Sequence, residues 1–386
     1  DPILVLTQAP CAISPIAKST LWKIPGLRYL LDEVDAVPII RRRDDPGKKA
    51  ESNDEVFDQI AAWLAARENV LIFPEGTSHN EPHLIQVKTG AARMLARARA
   101  SGARGLTFQA VALEFDARAT FRSRCLLVYG TVREVDALDA EGDALVAKIT
   151  GRLQADLSEM LVEGETWPER LLIARVAQMI ANLGGEPSMQ RWNSVGRQVE
   201  AASKVLKGLD RLTLGAIEAA VTRYHELLAL EGLADEQMAA SNPQTSEGDA
   251  AGVWRRRLGM LAILPLAIVG ITLYFLPYQL PRLVARRADE ADVVSTYKLA
   301  TGLLVYPLWA TLLIAGSFAL LRGALAGVSV LVVFASPFAA LAWLDRTPAL
   351  RRDLRLWRKQ GRLEELRTAR RRALDLVHKT RADLGM

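Results

Sequence analysis

Cysteine and histidine are scarce in this chain of 386 residues: two of the first, Cys11 and Cys125, and four of the second, His79, His83, His225 and His378. Two cysteines so far apart make no disulfide framework and fit a reducing compartment. The histidines are scattered and neither cysteine stands at ligand spacing from one, so no metal site is expected. Internal repeats are absent. Net positive charge is also absent before residue 345: the total is +5, but residues 345–386 hold 13 Lys and Arg against 6 Asp and Glu, or +7, leaving −2 for the rest.

Long uncharged apolar runs are present instead. Residues 258–280, 299–321 and 323–344 are each long enough to cross about 30 Å of hydrocarbon at about 1.5 Å per residue. None is an N-terminal signal peptide. Pro265 and Pro277 interrupt the first run, whereas only a short stretch around Arg322 and Gly323 parts the other two, which predicts a tight helical hairpin. Arg255, Arg256 and Arg257 precede the first run, Arg282, Arg286, Arg287 and Lys298 follow it, and the basic tail lies beyond the third. Three full crossings would divide these cations between two faces, against the tendency of basic segments to stay on one side. A first segment that dips in and returns, followed by a two-span hairpin, keeps them together and is the expected arrangement. The tail, with Leu363, Leu366, Leu374 and Val377 recurring among arginines, reads as a basic amphipathic helix suited to anionic headgroups. A solvated or self-associating helix is the other reading. Nucleic acid is not the expected partner, because apolar spans adjoin the charge and no recognition motif accompanies it.

The first third is patterned differently. Short apolar runs at 12–17, 34–40, 70–73, 107–115 and 126–129 alternate with helical periods, as in an α/β sheet with helices on both faces. Residues 136–240 show helical periodicity, with helix ends near Gly184-Gly185 and Gly232, and a polar stretch from Ala240 to Gly248 follows. The most informative block is Phe73-Pro74-Glu75-Gly76-Thr77-Ser78-His79, which comes directly after Val70-Leu71-Ile72. A strand that ends in such a turn offers backbone N–H groups, two hydroxyls and one carboxylate. The helix opening near Lys88-Thr89-Gly90 adds donors, so the spot suits an anion such as phosphate. His79 and His83 flank the turn, as a brace or as a base; no carboxylate stands at an obvious orienting distance in the sequence. His225 and His378 fall in charged helical patterns and read as solvated.

Taken in order, Asp1-Pro2, the run Val37-Pro38-Ile39-Ile40-Arg41, the Pro-Glu-Gly turn and the strand Val111-Ala112-Leu113 resemble the glycerolipid acyltransferases, the family of PlsC-like lysophosphatidate and glycerol-3-phosphate acyltransferases. The likeness covers about residues 1–135. It implies an α/β acyltransferase domain, a mixed sheet flanked by helices, followed by a helical region and C-terminal membrane helices. It also implies that Asp1 is the aspartate of a His-x-x-x-x-Asp motif whose histidine lies five positions upstream. The chain is therefore expected to be a fragment of a longer reading frame, inactive or nearly so without that general base, which supplies about 10²–10⁴ in rate.

The same resemblance assigns roles. Asp1 and Glu75 belong to the catalytic constellation, with Glu75 ordering the turn or Arg41. Arg41, or Arg42 beside it, takes the acceptor's phosphate, which a guanidinium binds bidentately. Gly76, Thr77, Ser78, His79, Lys88 and Lys18 complete the substrate site. The implied reaction moves a fatty acyl group from acyl-CoA or acyl-carrier protein, as co-substrate and with no cofactor, to the free hydroxyl of lysophosphatidate. Glycerol-3-phosphate is the alternative acceptor, and a non-catalytic lipid- or partner-binding membrane protein is the alternative class. The implied location is the bacterial inner membrane with the catalytic domain on the cytoplasmic face. The expected division is 1–135 acyltransferase-like, 136–240 helical, 241–253 linker, 254–344 membrane region and 345–386 basic tail.

Overall fold

Three short apolar strands build the sheet on which the first part of the chain is organised. In this computed structural model, residues 2–24, 26–40, 54–77, 79–116, 123–184, 188–240, 250–286, 294–358 and 360–385 are described. After α1 (Pro2–Gln8) come β1 (Ser14–Lys18), a 3₁₀ turn, α2 (Leu27–Glu33), β2 (Val37–Ile39), α3 (Asp54–Ala65), β3 (Val70–Leu71) and α4 (Gly90–Ala100). The strands pair in parallel in the order β2-β1-β3. Pro38, which has no N–H to give a ladder, falls on an outer strand, where proline is tolerated. Val37, Ile60 and Met94 form a buried cluster with Ile16, Val70 and Ile72 against it, so α3 and α4 pack on the sheet. Charge secures the same pair of helices: Arg97 in the last turn of α4 bonds Asp54, and Asp58 at 2.8 Å.

The remaining strands, β4 (Thr107–Phe108), β5 (Val111–Phe115), β6 (Cys125–Tyr129) and β7 (Arg133–Glu134), form two antiparallel pairs, β4 with β7 and β5 with β6. The expected mixed sheet is thus seen, among the described residues, as one three-stranded parallel sheet and two antiparallel pairs. The expected strand 107–115 is split. Gly130 N–H donates to Ala110 O at 2.9 Å and the Gln109 amide donates to Gly130 O at 2.8 Å, which takes residues 109–110 out of regular pairing.

Helices α5 (Gly142–Met160), α6 (Trp167–Ala181) and α7 (Met189–Leu209) follow. Buried Asp156 of α5 takes two bonds from Arg133, at 3.1 and 3.0 Å, and a contact from Arg152 at 3.0 Å. Thr166 caps α6 by accepting from Glu169 N–H, with Pro168 in the first turn where its missing donor costs nothing. On α7, Asn193 and Arg197 donate to Met160 O and Glu159 O, the orphan carbonyls at the end of α5.

Asp1–Arg223 and Arg370–Met386 form one compact unit, and Tyr224–Ala369 forms another. The expected boundary at 135/136 falls within the first. Helix α8 (Arg211–Glu231) ends at Gly232, whose φ of +63° stops it, and α9 (Asp235–Ala240), α10 (Ala250–Ala285), α11 (Val294–Leu320), α12 (Ala324–Arg358) and α13 (Gln360–Asp383) complete the chain. Stretches Leu258–Ala285, Tyr297–Leu320 and Ala324–Thr347 are long and apolar enough to cross a membrane. Leu308, Leu331 and Phe338 each expose about two-thirds or more of their surface, as lipid-facing residues do. Residues Leu321–Gly323 join α11 to α12, giving the expected hairpin.

The first apolar run departs from expectation: α10 is one continuous helix through Pro265, Pro277 and Pro281, with no break at which the chain turns back. A helix proline leaves the carbonyl four residues earlier without its N–H, and in an apolar medium a neighbouring helix must supply a donor. Pro277 frees Leu273 O, and Trp309 Nε1–H of α11 donates to that oxygen at 2.9 Å. Pro337 in α12 frees Val333 O, and the Tyr274 hydroxyl of α10 donates to it at 2.9 Å. Elsewhere α10 and α12 approach closely: a β-carbon on Gly270 would stand 2.1 Å from Ser336 O. Trp309→Phe is expected to lower the stability of the apolar unit by about 0.5–2 kcal/mol in detergent-micelle unfolding. Adding Pro277→Ala, which returns the helix's own donor to Leu273 O, should recover most of that loss; two independent losses that simply add would contradict the pairing.

Candidate functional site

Past the end of β3 the chain must reverse, and Pro74, Glu75 and Gly76 do so tightly. Gly76 N–H donates to Phe73 O at 3.1 Å, and Gly76 has φ +63°, a conformation glycine reaches without the clash a β-carbon brings. Because the three strands are parallel, their carboxyl ends share one edge. Lys18 pairs with Ile39, while Ser14 pairs with Val70 and Pro15 with Leu71. Carried on at that register, Pro74 falls level with Lys18. Ligands of open parallel sheets bind at this edge.

Lys88, just before α4, closes over the turn. Its N–H donates to Pro74 O at 2.8 Å. A β-carbon on Gly76 would lie 2.9 Å from Lys88 Cδ and 3.1 Å from Nζ, so the missing side chain of Gly76 is what admits the lysine. Lys88 is exposed, and Glu75, Gly76 and Thr77 are half-buried beneath it. The result is an accessible ammonium group above a turn at the carboxyl edge of the sheet.

His79 is tied to the same turn through both ring nitrogens. Nε2 lies 3.2 Å from Glu75 Oε1, and Nδ1 accepts from Glu81 N–H at 3.2 Å. An Nδ1 that accepts carries no proton, so Nε2 bears the hydrogen and donates it to the carboxylate. The carboxylate that the sequence did not reveal is therefore Glu75, four residues earlier. With both nitrogens occupied, His79 braces the turn. Of the other histidines, His83 and His378 are exposed, but His225 is not the solvated residue expected: it is half-buried with its ring edge-on to Tyr224, centroids 5.4 Å apart.

Residues 79–88 have no helix or strand of their own, so their backbone groups need partners from elsewhere. Leu84 N–H donates to Glu163 Oε1 at 2.8 Å and Val87 N–H to Gln154 Oε1 at 2.7 Å. Gly164 N–H donates to Pro82 O at 3.2 Å and Trp167 Nε1–H to Asn80 O at 3.0 Å. Ser158 Oγ–H holds the second oxygen of Glu163 at 2.8 Å. Arg170 lies over the Trp167 ring, 5.6 Å from its centre, and pairs with Glu114 Oε1 of β5 at 2.8 Å. Burial pushes the Glu114 carboxyl above its ordinary range, with Arg170 pulling the other way. Gln154, Glu163 and Trp167 are residues that sequence reasoning missed. Thr166-x-x-Glu169 is a readable capping box, but nothing in the local pattern points Glu163 at a loop so distant in sequence.

Of the residues expected at the site, Asp1, Arg41, Arg42 and Ser78 lie outside the described residues. Glu75, Gly76, Thr77, His79 and Lys88 come together at the turn, while Lys18 ends β1, the strand next to β3. Among the described residues there is no His, Cys, Asp and Glu grouping able to hold a metal ion. Chemically, the turn can offer a phosphate the Lys88 ammonium.

The Acyltransferase family model matches residues 1–114, the stretch from α1 through Glu114 of β5 that holds the parallel sheet and the Glu75 turn. That likeness supports acyl transfer in lipid metabolism as the chemistry, with a lipid and an acyl donor as substrates, and the three apolar helices point to membrane association. No curated protein and no solved structure matches the chain.

Gly76→Ala is expected to destabilise the first unit by about 1–3 kcal/mol, through the left-handed backbone and the contact with Lys88. Combining it with Lys88→Ala should remove the contact but keep the backbone cost, so recovery in urea unfolding is partial. Full recovery, or no loss at all, would refute this geometry.

Proposed function

We propose that the chain is the acyl-transfer part of a membrane-bound enzyme that moves a fatty acyl group from acyl-CoA or acyl-carrier protein to the free hydroxyl of lysophosphatidate. The observation that carries this reading is Lys88, laid over Gly76 at the carboxyl edge of the sheet, inside the stretch that matches the acyltransferase model. Lys88, the turn amides and Arg41 grip the acceptor's phosphate, which leaves its alcohol free to attack the thioester carbon. The hydroxyl gives its proton to a general base, a histidine in the family resembled, as the C–O bond forms, and the tetrahedral intermediate then expels the thiolate. Glu75 acts through His79 by holding the turn in shape.

Glycerol-3-phosphate presents the same phosphate and lacks one acyl chain, so it stands as the alternative acceptor. A specific observation favours a non-catalytic reading of the 386 residues by themselves: His79, the histidine of the turn, spends both nitrogens on bracing it. In the family resembled, the base is a histidine five positions before the residue that aligns with Asp1. The test is transfer of a radiolabelled acyl group from acyl-CoA to each acceptor by the membrane-bound protein. Lys88→Ala and Arg41→Ala are each expected to lower kcat/KM by about 10–100-fold, the worth of one charged hydrogen bond. Parental rates in both would end the assignment.

The membrane arrangement belongs to the same proposal: a bacterial inner membrane, the transfer domain on the cytoplasmic face, and two full crossings. Support comes from the tail. Arg370 donates to Met179 O of α6 at 3.2 Å, and residues 370–386 share a compact unit with residues 1–223. A chain that leaves that unit and returns to it crosses a membrane an even number of times. One of the three apolar helices then does not cross, and we assign the proline-rich α10, as an unbroken helix lying along the cytoplasmic face. In a chain without Cys11 and Cys125, Arg322→Cys should react with a membrane-impermeant maleimide added outside spheroplasts, and Arg286→Cys should not. External labelling at Arg286→Cys would establish a full crossing by α10.

A further inference from the structure

The loop that carries Lys88 is held by the connection between α5 and α6, and that connection is held in turn by one ridge of α7. Positions 193, 197, 200, 204 and 207 recur every four and three residues, so they share a helix face. Asn193 and Arg197 donate to Met160 O and Glu159 O, which settles the end of α5. Gly196 leaves room for Val162: a β-carbon there would stand 2.7 Å from Val162 Cγ2. One turn further on, buried Glu200 accepts the Glu163 N–H on Oε2 at 2.8 Å, and its Oε1 takes Lys204 Nζ at 2.7 Å. Lys207 ends the row, on Glu165 at 2.5 Å and on Glu169 at 3.5 Å.

Glu163 is thus gripped at both ends. Its amide is tied to α7 through Glu200, while its carboxylate accepts the Leu84 N–H on one oxygen and the Ser158 hydroxyl on the other. Val87, three residues beyond Leu84 and next to Lys88, is held by Gln154 of α5 instead. The loop therefore has two ties of different origin, and the one at Leu84 runs on to α7. Charge reinforces that tie. Lys204 is the cation that Glu200, Glu163 and Glu169 share, and its ammonium is held above the usual lysine range by the Glu200 bond foremost, with burial pulling the other way. Without that cation, buried Glu200 would carry its charge at a cost.

We propose that Glu200 and Lys204 are positioning residues for the acceptor's phosphate: through Glu163 and Leu84 they set where Lys88 stands over Gly76. This role rests on the reading of Lys88 as a phosphate contact. It places a determinant of acceptor affinity on a helix outside the stretch that matches the acyltransferase model. The effect is selective. Slackening the tie weakens the grip on the phosphate and leaves the chemical step alone, so KM for the acceptor rises while kcat holds.

The test uses the full chain in phosphatidylcholine nanodiscs. Amide hydrogen exchange, resolved residue by residue, reads the tie. Protection of the Lys88 amine from acetic anhydride by lysophosphatidate reads the cation, with monoacylglycerol, which has no phosphate, as the control. Glu200→Ala is expected to speed exchange about tenfold at Leu84 and less than about threefold at Val87. About tenfold more lysophosphatidate should then be needed to protect Lys88. Glu200→Gln keeps an oxygen for the Glu163 N–H and should restore most of both. Equal acceleration at Leu84 and Val87 would mean general loosening and overturns the proposal. If Glu200→Ala does not fold, Lys204→Met decides, since that side chain is 62% exposed. Leu84 should then exchange about threefold faster than in the parent, and an unchanged rate overturns the tie. No protection of Lys88 in the parent ends the phosphate reading and the proposal with it. Parental protection that survives intact in Glu200→Ala ends the proposal alone.

Discussion

Amide groups that belong to no helix or strand must find an acceptor or be stranded at a cost of about 1–3 kcal/mol each when buried. The segment between the Glu75 turn and α4 meets that demand with side chains from the helical part of the chain. Leu84 is held by Glu163 and Val87 by Gln154, while Trp167 holds Asn80. These bonds determine where Lys88 emerges, and therefore whether an ammonium stands over Gly76 at all. The site is consequently a property of the whole first unit. Residues 1–114 hold the strands and the turn, but the segment that carries the cation is fastened from beyond them.

Much of this was readable because it is local. Alternating apolar runs foretold the strands, Pro-Glu-Gly foretold a turn at Gly76, and three uncharged runs foretold three long helices. What failed to read was tertiary. The run 107–115 has no proline or glycine to mark a break, and its split comes from Gly130, which takes Ala110 O across the chain fold. Glu75 as the partner of His79 was hidden because the two are four apart across an irregular turn, where distance in sequence says little about distance in space.

The same limit explains α10. Pro265 and Pro277 argue for a broken segment, since proline removes a helix bond and crowds the preceding turn. The rule holds for an isolated helix. Here the deficit at Leu273 is met by an indole from α11, and the matching deficit at Val333 by a phenol from α10. Donors that distant in sequence are invisible to any local reading, and they turn a predicted break into continuous helix.

Those two aromatic bonds also impose an order of events. During synthesis α10 is made first, and Trp309 and Val333 arrive only with α11 and α12. Until then Leu273 O has no donor, and holding it in hydrocarbon would cost several kcal/mol. The nascent first helix is therefore better off near the wet interface until its later neighbours emerge. Settling of the three helices becomes a single late event, and a chain interrupted before residue 309 would carry a first segment that lipid does not fully accept.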